Sequence, residues 1–135
     1  MSNPAFALQI AMRDALLTHA PLVLLLGGAH VHEETPRGAS STYISFAAIE
    51  TRDWSTADAK AHEHFVNLAV TTNSRSRKLA QDILDEIEHV LDNAALTLTG
   101  HLLVNLRLTF WSVVREKNGE NFGATLRFRA ATEPL

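Results

Sequence analysis

Four histidines, arranged as two His-x-His pairs, are the residues of this chain best suited to chemistry. His30 and His32 form one pair, and His62 and His64 form the other. Alternate residues of a β-strand project from the same face, so each pair can present two imidazoles at metal-ligand spacing. If the two strands were neighbours, four imidazoles could meet. The pattern is therefore compatible with a metal- or small-molecule-binding α+β domain.

A solvated polar rim is the other interpretation of these histidines. Glu33, Glu34 and Glu63 stand beside them in the sequence, and exposed strand ends tolerate such polar residues. Nothing nearby supplies a general base, an activated water or a second shell of hydrogen bonds for a metal. We therefore assign no metal ligands and keep the metal-binding domain as the alternative function, for which stoichiometric zinc in the purified protein would be evidence.

The sequence contains no recognisable catalytic motif. The nucleophile elbow G-x-S-x-G, the P-loop, the dinucleotide fingerprint G-x-G-x-x-G and the zincin motif H-E-x-x-H are all missing. Cysteine is absent as well, which excludes disulfides, a thiolate nucleophile and cysteine-ligated zinc. We predict that the protein is not an enzyme and has neither catalytic residues nor a cofactor.

Composition and charge indicate one globular domain covering residues 1–135. Of the 135 residues, 46% are hydrophobic and 20% are charged, which is enough apolar surface for one core. Twelve basic and fifteen acidic residues give a net charge of -3, which disfavours a third class, a DNA-binding regulator. The longest apolar run, residues 21–26, is far below the roughly 20 residues of a membrane span, so we expect a cytoplasmic or particle-borne protein without a membrane partner.

Apolar periodicity predicts eight secondary-structure elements. In chain order they are helices over residues 4–19 and 20–26, a short strand over 29–33, strands over 43–52 and 62–72, a helix capped near Asn73, Ser74 or Ser76 and running to about Asn93, and a hairpin of strands over 104–111 and 125–131. A Pro/Gly/Ser loop at 35–41 and a turn at Asn118-Gly119 complete the pattern. This order predicts an α+β two-layer sandwich, an antiparallel sheet with helices packed on one face.

Strict alternation along the predicted strands also assigns side chains to faces. Ala48 is predicted on the same side of its strand as Ile44 and Phe46. Phe110 alternates with Trp111, which is predicted on the outer face of the sheet, so Phe110 is predicted to face inward. Arg127 and Arg129 are predicted on that outer face as well. An exposed tryptophan is common at interface centres, so Trp111 is a candidate partner contact unless the N-terminal helix covers it.

Two further groups are candidates for partner contacts. The tip, residues 53–61 between the second and third predicted strands, is polar apart from one tryptophan. A basic cluster of Arg75, Arg77 and Lys78 lies at the start of the long helix, where positive charge opposes the helix dipole. We therefore interpret the cluster as a binding site for a carboxylate of a partner protein. A nucleic-acid patch and a solvated surface are the alternatives. The complete set of partner-contact candidates is Asp53, Trp54, Asp58, Lys60, Arg75, Arg77, Lys78 and Trp111.

Five segments, in their order and spacing, resemble the tail-completion (tail terminator) family of long-tailed phages and gene transfer agents. The resemblance spans nearly the whole chain, although no single motif is diagnostic. The segments are Ala7-Leu8-Gln9-Ile10, Leu25-Leu26-Gly27-Gly28, Tyr43-Ile44 leading to Arg52-Asp53-Trp54-Ser55, residues 98–107, and Leu126-Arg127-Phe128-Arg129-Ala130.

This resemblance implies a structural protein of a phage or phage-like particle, assembled in the host cytoplasm and located at the head–tail junction. Six copies would form a ring that terminates the tail tube and joins the tail to the head connector (stopper) protein. Its partners would be further copies of itself, the tail tube protein and the connector. DNA would pass through the lumen without sequence-specific binding. The tip would contact the neighbouring ring, and the basic cluster would pair subunits.

Overall fold

The computed structural model describes residues 3–33, 42–116 and 121–135. Within these ranges it contains α1 (Pro4–Leu17), α2 (Ala20–Leu26), β1 (Val31–His32), β2 (Tyr43–Asp53), β3 (His62–Thr71), α3 (Arg77–Leu91), β4 (His101–Arg115) and β5 (Phe122–Pro134). All eight predicted elements are present, with β4 and β5 longer than predicted. The predicted loop at 35–41 and the Asn118-Gly119 turn lie outside the described residues.

Local capping groups explain where the helices begin and end. The Asn3 side chain accepts a hydrogen bond from the backbone N–H of Ala5 (2.8 Å), and α1 starts there. Gly27 ends α2 in the left-handed conformation, with φ of 77°, which glycine adopts without steric cost. Ser76 caps α3 by accepting from the N–H of Lys78 (3.2 Å), so one of the three predicted capping residues has this role.

The strands form one five-stranded sheet in the order β1-β2-β3-β5-β4. The four long strands pair with one another in antiparallel fashion, as predicted. The short β1 is parallel to β2, with Val31 opposite Ile44, so the sheet is mixed. Because β1 is only two residues long, its sequence pattern is too short to predict the direction in which it pairs. The β4 strand lies at one edge of the sheet.

The core lies between the sheet and the helices. Ile83, Ile87 and Leu91 form the apolar stripe of α3 and are fully buried. They belong to one cluster with Leu126 and Phe128 of β5, which are also fully buried. Helices therefore cover one face of the sheet and leave the other face open, so the predicted α+β two-layer architecture is confirmed.

A β-bulge in β2 changes which of its side chains face the core. The register of β2 against β3 shifts between Phe46 and Ala48, which leaves Ala47 as the extra residue. Ala48 consequently lies opposite Asn67 and projects from the open face, where it is exposed. The prediction that Ala48 shares a side with Ile44 and Phe46 is wrong, because one inserted residue reverses the alternation for the rest of the strand.

A bulge in β4 corrects two further predictions. The register shifts around Thr109, after which Phe110 lies opposite Arg127 and Trp111 lies opposite Leu126. Residues directly opposite each other project from the same face, and Leu126 is a core residue. Trp111 is therefore on the helix-bearing side and Phe110 is on the open face, the reverse of the predicted arrangement.

In the described part of the chain, each helix taken alone is too short or too polar to cross a membrane. Helices α1 and α2 reach the required length and apolarity only when they are taken together, and the pair is bent by 84°.

Candidate interaction surfaces

The tip, residues 53–61 between β2 and β3, is held by a compact set of hydrogen bonds. The N–H of Trp54 donates to the carbonyl of Ala61 (2.9 Å) and closes the hairpin. The Ser55 hydroxyl accepts from the N–H of Ala61 (3.0 Å) and donates to the carboxylate of Asp53 (2.6 Å). Residues 54–60 are all exposed. The tip therefore presents a defined polar surface, as a contact site requires.

Three of the four predicted contact residues of this tip lie around one depression. Asp53, Asp58 and Lys60 line one shallow depression of about 590 Å³. The hydroxyl and the N–H of Ser55 both bind the carboxylate of Asp53, and they hold the pKa of that group below its ordinary value. The depression thus keeps a carboxylate charged beside an exposed lysine.

A glutamate between two arginines joins the tip to the open face of the sheet. Glu63 accepts from Arg129 through Oε2 (2.6 Å) and from Arg52 through Oε1 (2.7 Å). These two hydrogen bonds hold the pKa of Glu63 below its ordinary value. The guanidinium carbon of Arg129 lies 5.0 Å from the centre of the Trp54 ring, within cation–π range. Trp54 is thereby anchored, while 47% of it remains exposed.

The pairing of Glu63 with these arginines was missed in the sequence, although a signal for half of it is present. Arg52 and Glu63 stand directly opposite each other in the β2–β3 hairpin, so a correct hairpin register predicts their ion pair. Arg129 is 66 residues from Glu63 in the chain. Its contribution depends on β5 lying beside β3, which local patterns do not encode.

The basic cluster at the start of α3 has partners within the subunit for two of its three members. Lys78 forms an ion pair with Asp82 (2.6 Å), one helical turn away, and this contact raises the pKa of Lys78. The guanidinium carbon of Arg77 lies 5.0 Å from the centre of the buried Phe122 ring. Arg75 is exposed, and it is the member of the cluster best placed to meet another protein.

Trp111, on the helix-bearing side of the edge strand β4, is 49% exposed. The N-terminal helix therefore does not bury it. Its neighbour Phe110, which the strand pattern predicts to face inward, is 52% exposed on the open face. The edge strand consequently shows an aromatic side chain on each side, and Phe110 joins the set of interface candidates.

The two His-x-His pairs do not converge. β1 and β3 lie on opposite sides of β2, with His32 opposite Ser45 and His62 opposite Asp53. Those two positions of β2 are about 25 Å apart at the usual rise of a strand. No group of three metal-ligating side chains is assembled in the part of the chain that the structure describes. The four-histidine site of the alternative function is therefore not formed.

His64 belongs to the core. It is fully buried, and its two ring nitrogens lie 2.8 Å from the hydroxyl oxygens of Thr51 and Thr132. Burial lowers its pKa to about 4, with smaller contributions from His62 and His101. At neutral pH the ring is therefore uncharged and serves as a hydrogen-bonded packing residue.

Comparison with known proteins decides the family. The family model of tail completion protein gp17 matches residues 10–133. The chain belongs to the tail completion protein gp17 family. It is accordingly a structural protein of a phage tail or phage-like particle, as the resemblance implied.

The solved structures that match this tail completion protein include a chain of the "Virion of native gene transfer agent (GTA) particle". The two chains are 26% identical and superpose with a TM-score of 0.87, over 98% of this chain and 99% of that chain. The whole α+β fold is therefore shared with a component of a virion. No curated protein sequence matches the chain.

Proposed function

We propose that this tail completion protein assembles into a hexameric ring that ends the tail tube and joins the tail to the head connector. DNA passes through the lumen of the ring without sequence-specific contacts. Family membership over residues 10–133 carries the proposal. The end-to-end similarity to a chain of a gene transfer agent virion supports it, because that chain belongs to an assembled particle.

The surfaces of the subunit suit a ring. A ring of identical heterologous contacts needs two different patches on each subunit and no catalytic residue. The chain offers exposed side chains both on the helix-bearing side and on the open face of the sheet. We accordingly propose a role in assembly without enzymatic activity.

The net charge suits a channel for DNA. Six copies at -3 each carry a formal charge of -18. An acidic lumen repels the phosphate backbone and lets DNA slide, whereas a basic wall binds it. We propose that the lumen is net acidic, and that the tip with Asp53, Trp54, Asp58 and Lys60 contacts the adjacent ring of the tail tube or the connector.

The mass of the purified protein in solution tests the ring. Light scattering coupled to negative-stain imaging should show either six times the 14.9 kDa subunit mass or monomers that form rings when tail tubes are added. Rings of six on tube ends would support the proposal. A monomer that stays inert in the presence of tubes would overturn it.

Charge reversal at Arg75 tests subunit pairing by the basic cluster. We expect Arg75→Glu to weaken each contact between subunits about tenfold, which corresponds to a loss of roughly 1.4 kcal/mol per contact. The matched control is Arg13→Glu, which reverses an arginine on α1 whose side chain is 41% exposed. Sedimentation over a concentration series measures both variants. If Arg75→Glu assembles over the same range of protein concentration as the wild type, the proposal that the basic cluster lies in the interface between subunits is wrong.

A further inference from the structure

We propose that neighbouring copies in the ring meet through two complementary patches of this chain, a proposal that rests on the ring proposed above. The acidic groove lies between α2 and α3, with Pro21, Leu24 and Leu25 as its apolar lining and Asp82, Asp85 and Glu86 as its charged lining. The second patch, the aromatic knob, is Phe110 on the open face of the sheet with Arg107 and Arg127 beside it.

The acidic groove exposes apolar surface that a lone subunit would be expected to bury. Leu24 is 82% exposed, one of the two most exposed large hydrophobic side chains in the described residues. The groove has a volume of about 360 Å³, enough to receive one aromatic side chain. A large apolar residue surrounded by charged ones is the usual arrangement at the centre of a protein interface.

The carboxylates of the groove keep a net negative charge. Asp82 is paired with Lys78 (2.6 Å), whereas Asp85 accepts from the neutral amide of Gln81 (3.1 Å). The Glu86 carboxylate lies 2.8 Å from the Nε2 atom of His19, on the inner side of this surface. One lysine therefore faces three carboxylates, and Asp85 is the carboxylate whose charge the groove leaves available to a partner.

The aromatic knob has the opposite charge. Phe110 lies directly opposite Arg127, and Arg107 belongs to the neighbouring row of the same face, opposite Arg129. The Arg127 guanidinium donates to the neutral amide of Asn67 (3.2 Å), a contact that leaves its charge uncompensated. Arg107 is 60% exposed but forms an ion pair with Asp92 (3.6 Å), so Arg127 supplies the uncompensated positive charge beside Phe110. Phe110 thus projects from a basic surface.

The placement of the two patches makes a neighbouring copy the fitting occupant. The groove is in the helix layer and the knob is on the far side of the sheet, so the two patches of one chain cannot meet each other. Each copy instead presents a basic aromatic knob on one side and an acidic apolar groove on the other. Repeated contacts between two such different patches are heterologous, and they close into a ring when the rotation allows.

Charge reversal in trans tests this contact. Asp85→Arg makes both patches of a copy basic, and Arg127→Asp weakens the charge of the knob toward the sign of the groove. Each variant alone should assemble at least about tenfold more weakly than the wild type. An equimolar mixture should recover assembly, because each variant supplies the patch that matches the other. Light scattering and negative-stain imaging, with and without tail tubes, measure all four samples.

Apolar truncation gives an independent readout. Leu24→Ser and Phe110→Ser should each weaken the ring, while Leu135→Ser should not, although Leu135 is 84% exposed. Circular dichroism establishes that each variant is folded. The result distinguishes the two proposals: wild-type protein that never forms rings overturns the proposed function.

Wild-type rings together with full assembly by both charge variants would overturn the contact alone. Variants that form normal rings but no longer bind tail tubes would also overturn it, and would assign the two patches to the tube protein.

Discussion

Replacing residues 55–60 by the two-residue turn Asn-Gly should stop tails from joining to heads while leaving the subunit folded. The N–H of Trp54 and the carbonyl of Ala61 already form the closing hydrogen bond of the hairpin, at 2.9 Å. A two-residue Asn-Gly turn fits such a hairpin end without distortion. The replacement therefore removes residues 55–60 of the tip, including Asp58 and Lys60, and keeps Asp53, Trp54, the two strands, the Glu63 ion pairs and the core.

The expected loss is large because the tip would be the centre of a small contact. Removing such a centre costs roughly 3 kcal/mol, which lowers the yield of joined particles by about a hundredfold or more. Counting joined and unjoined particles by electron microscopy in a complementation assay measures this yield. Ring assembly of the purified variant is measured in parallel and should match that of the wild type.

A second variant shows whether the side chains or the length of the tip matter. Replacing residues 55–60 with six Gly and Ser residues keeps the span but removes Asp58 and Lys60. If side chains make the contact, this variant should fail as the shortened one does. A normal yield of joined particles from the shortened variant would exclude residues 55–60 from the joint.

The elements of this fold are largely encoded in local patterns. Helix α3 illustrates this, because Ile83, Ile87 and Leu91 recur at helical spacing and Ser76 caps the start. The order of the elements then gives the two-layer architecture without any knowledge of long-range contacts. The positions of the tip and of the basic cluster at the start of α3 follow from the same reading.

The faces of the strand residues were predicted less well, for a physical reason. A bulge adds one residue to a strand, and every later side chain then changes face. The alternation of apolar and polar residues around Ala47 and Thr109 gives no signal of an extra residue in the strand. Phe110 and Trp111 were consequently assigned to each other's sides of the sheet. The aromatic knob on the open face exists only because of the bulge at Thr109.

The candidate interaction surfaces also depend on contacts between segments that are distant in the sequence. The contact of Arg129 with Glu63 needs β5 beside β3, and the acidic groove needs α2 beside α3. Such neighbours are fixed by how the helices pack on the sheet, which one sequence does not specify. The His-x-His pairs show the converse, because their spacing suggested a shared site and the topology separates them along β2.

Acidification should destabilise the subunit through protonation of His64. One substitution at His64 is enough to measure how much free energy of unfolding this residue contributes. Burial lowers the pKa of His64 to about 4 in the fold, against an ordinary value of 6.5 in the unfolded chain. The unfolded state therefore binds more protons between these two values. The contribution of His64 to the free energy of unfolding is fully present above about pH 6.5 and falls as the pH drops toward about 4. Below about pH 4 this group causes no further loss of stability.

The expected loss from His64 is about 2 kcal/mol between pH 7 and pH 5, and at most about 3 kcal/mol over the full window. Urea unfolding at fixed protein concentration measures it. His64→Gln keeps partners for Thr51 and Thr132 but does not titrate, so its stability should change about 2 kcal/mol less over the same range.

Carboxylates such as Glu63, whose lowered pKa also makes the fold weaker in acid, are shared by both proteins, so their effect cancels in the comparison. His30→Gln makes the same substitution at a partly exposed position and serves as the matched control. Equal slopes for wild type and His64→Gln would show that burial does not lower the pKa of His64 in the fold, and would contradict the prediction.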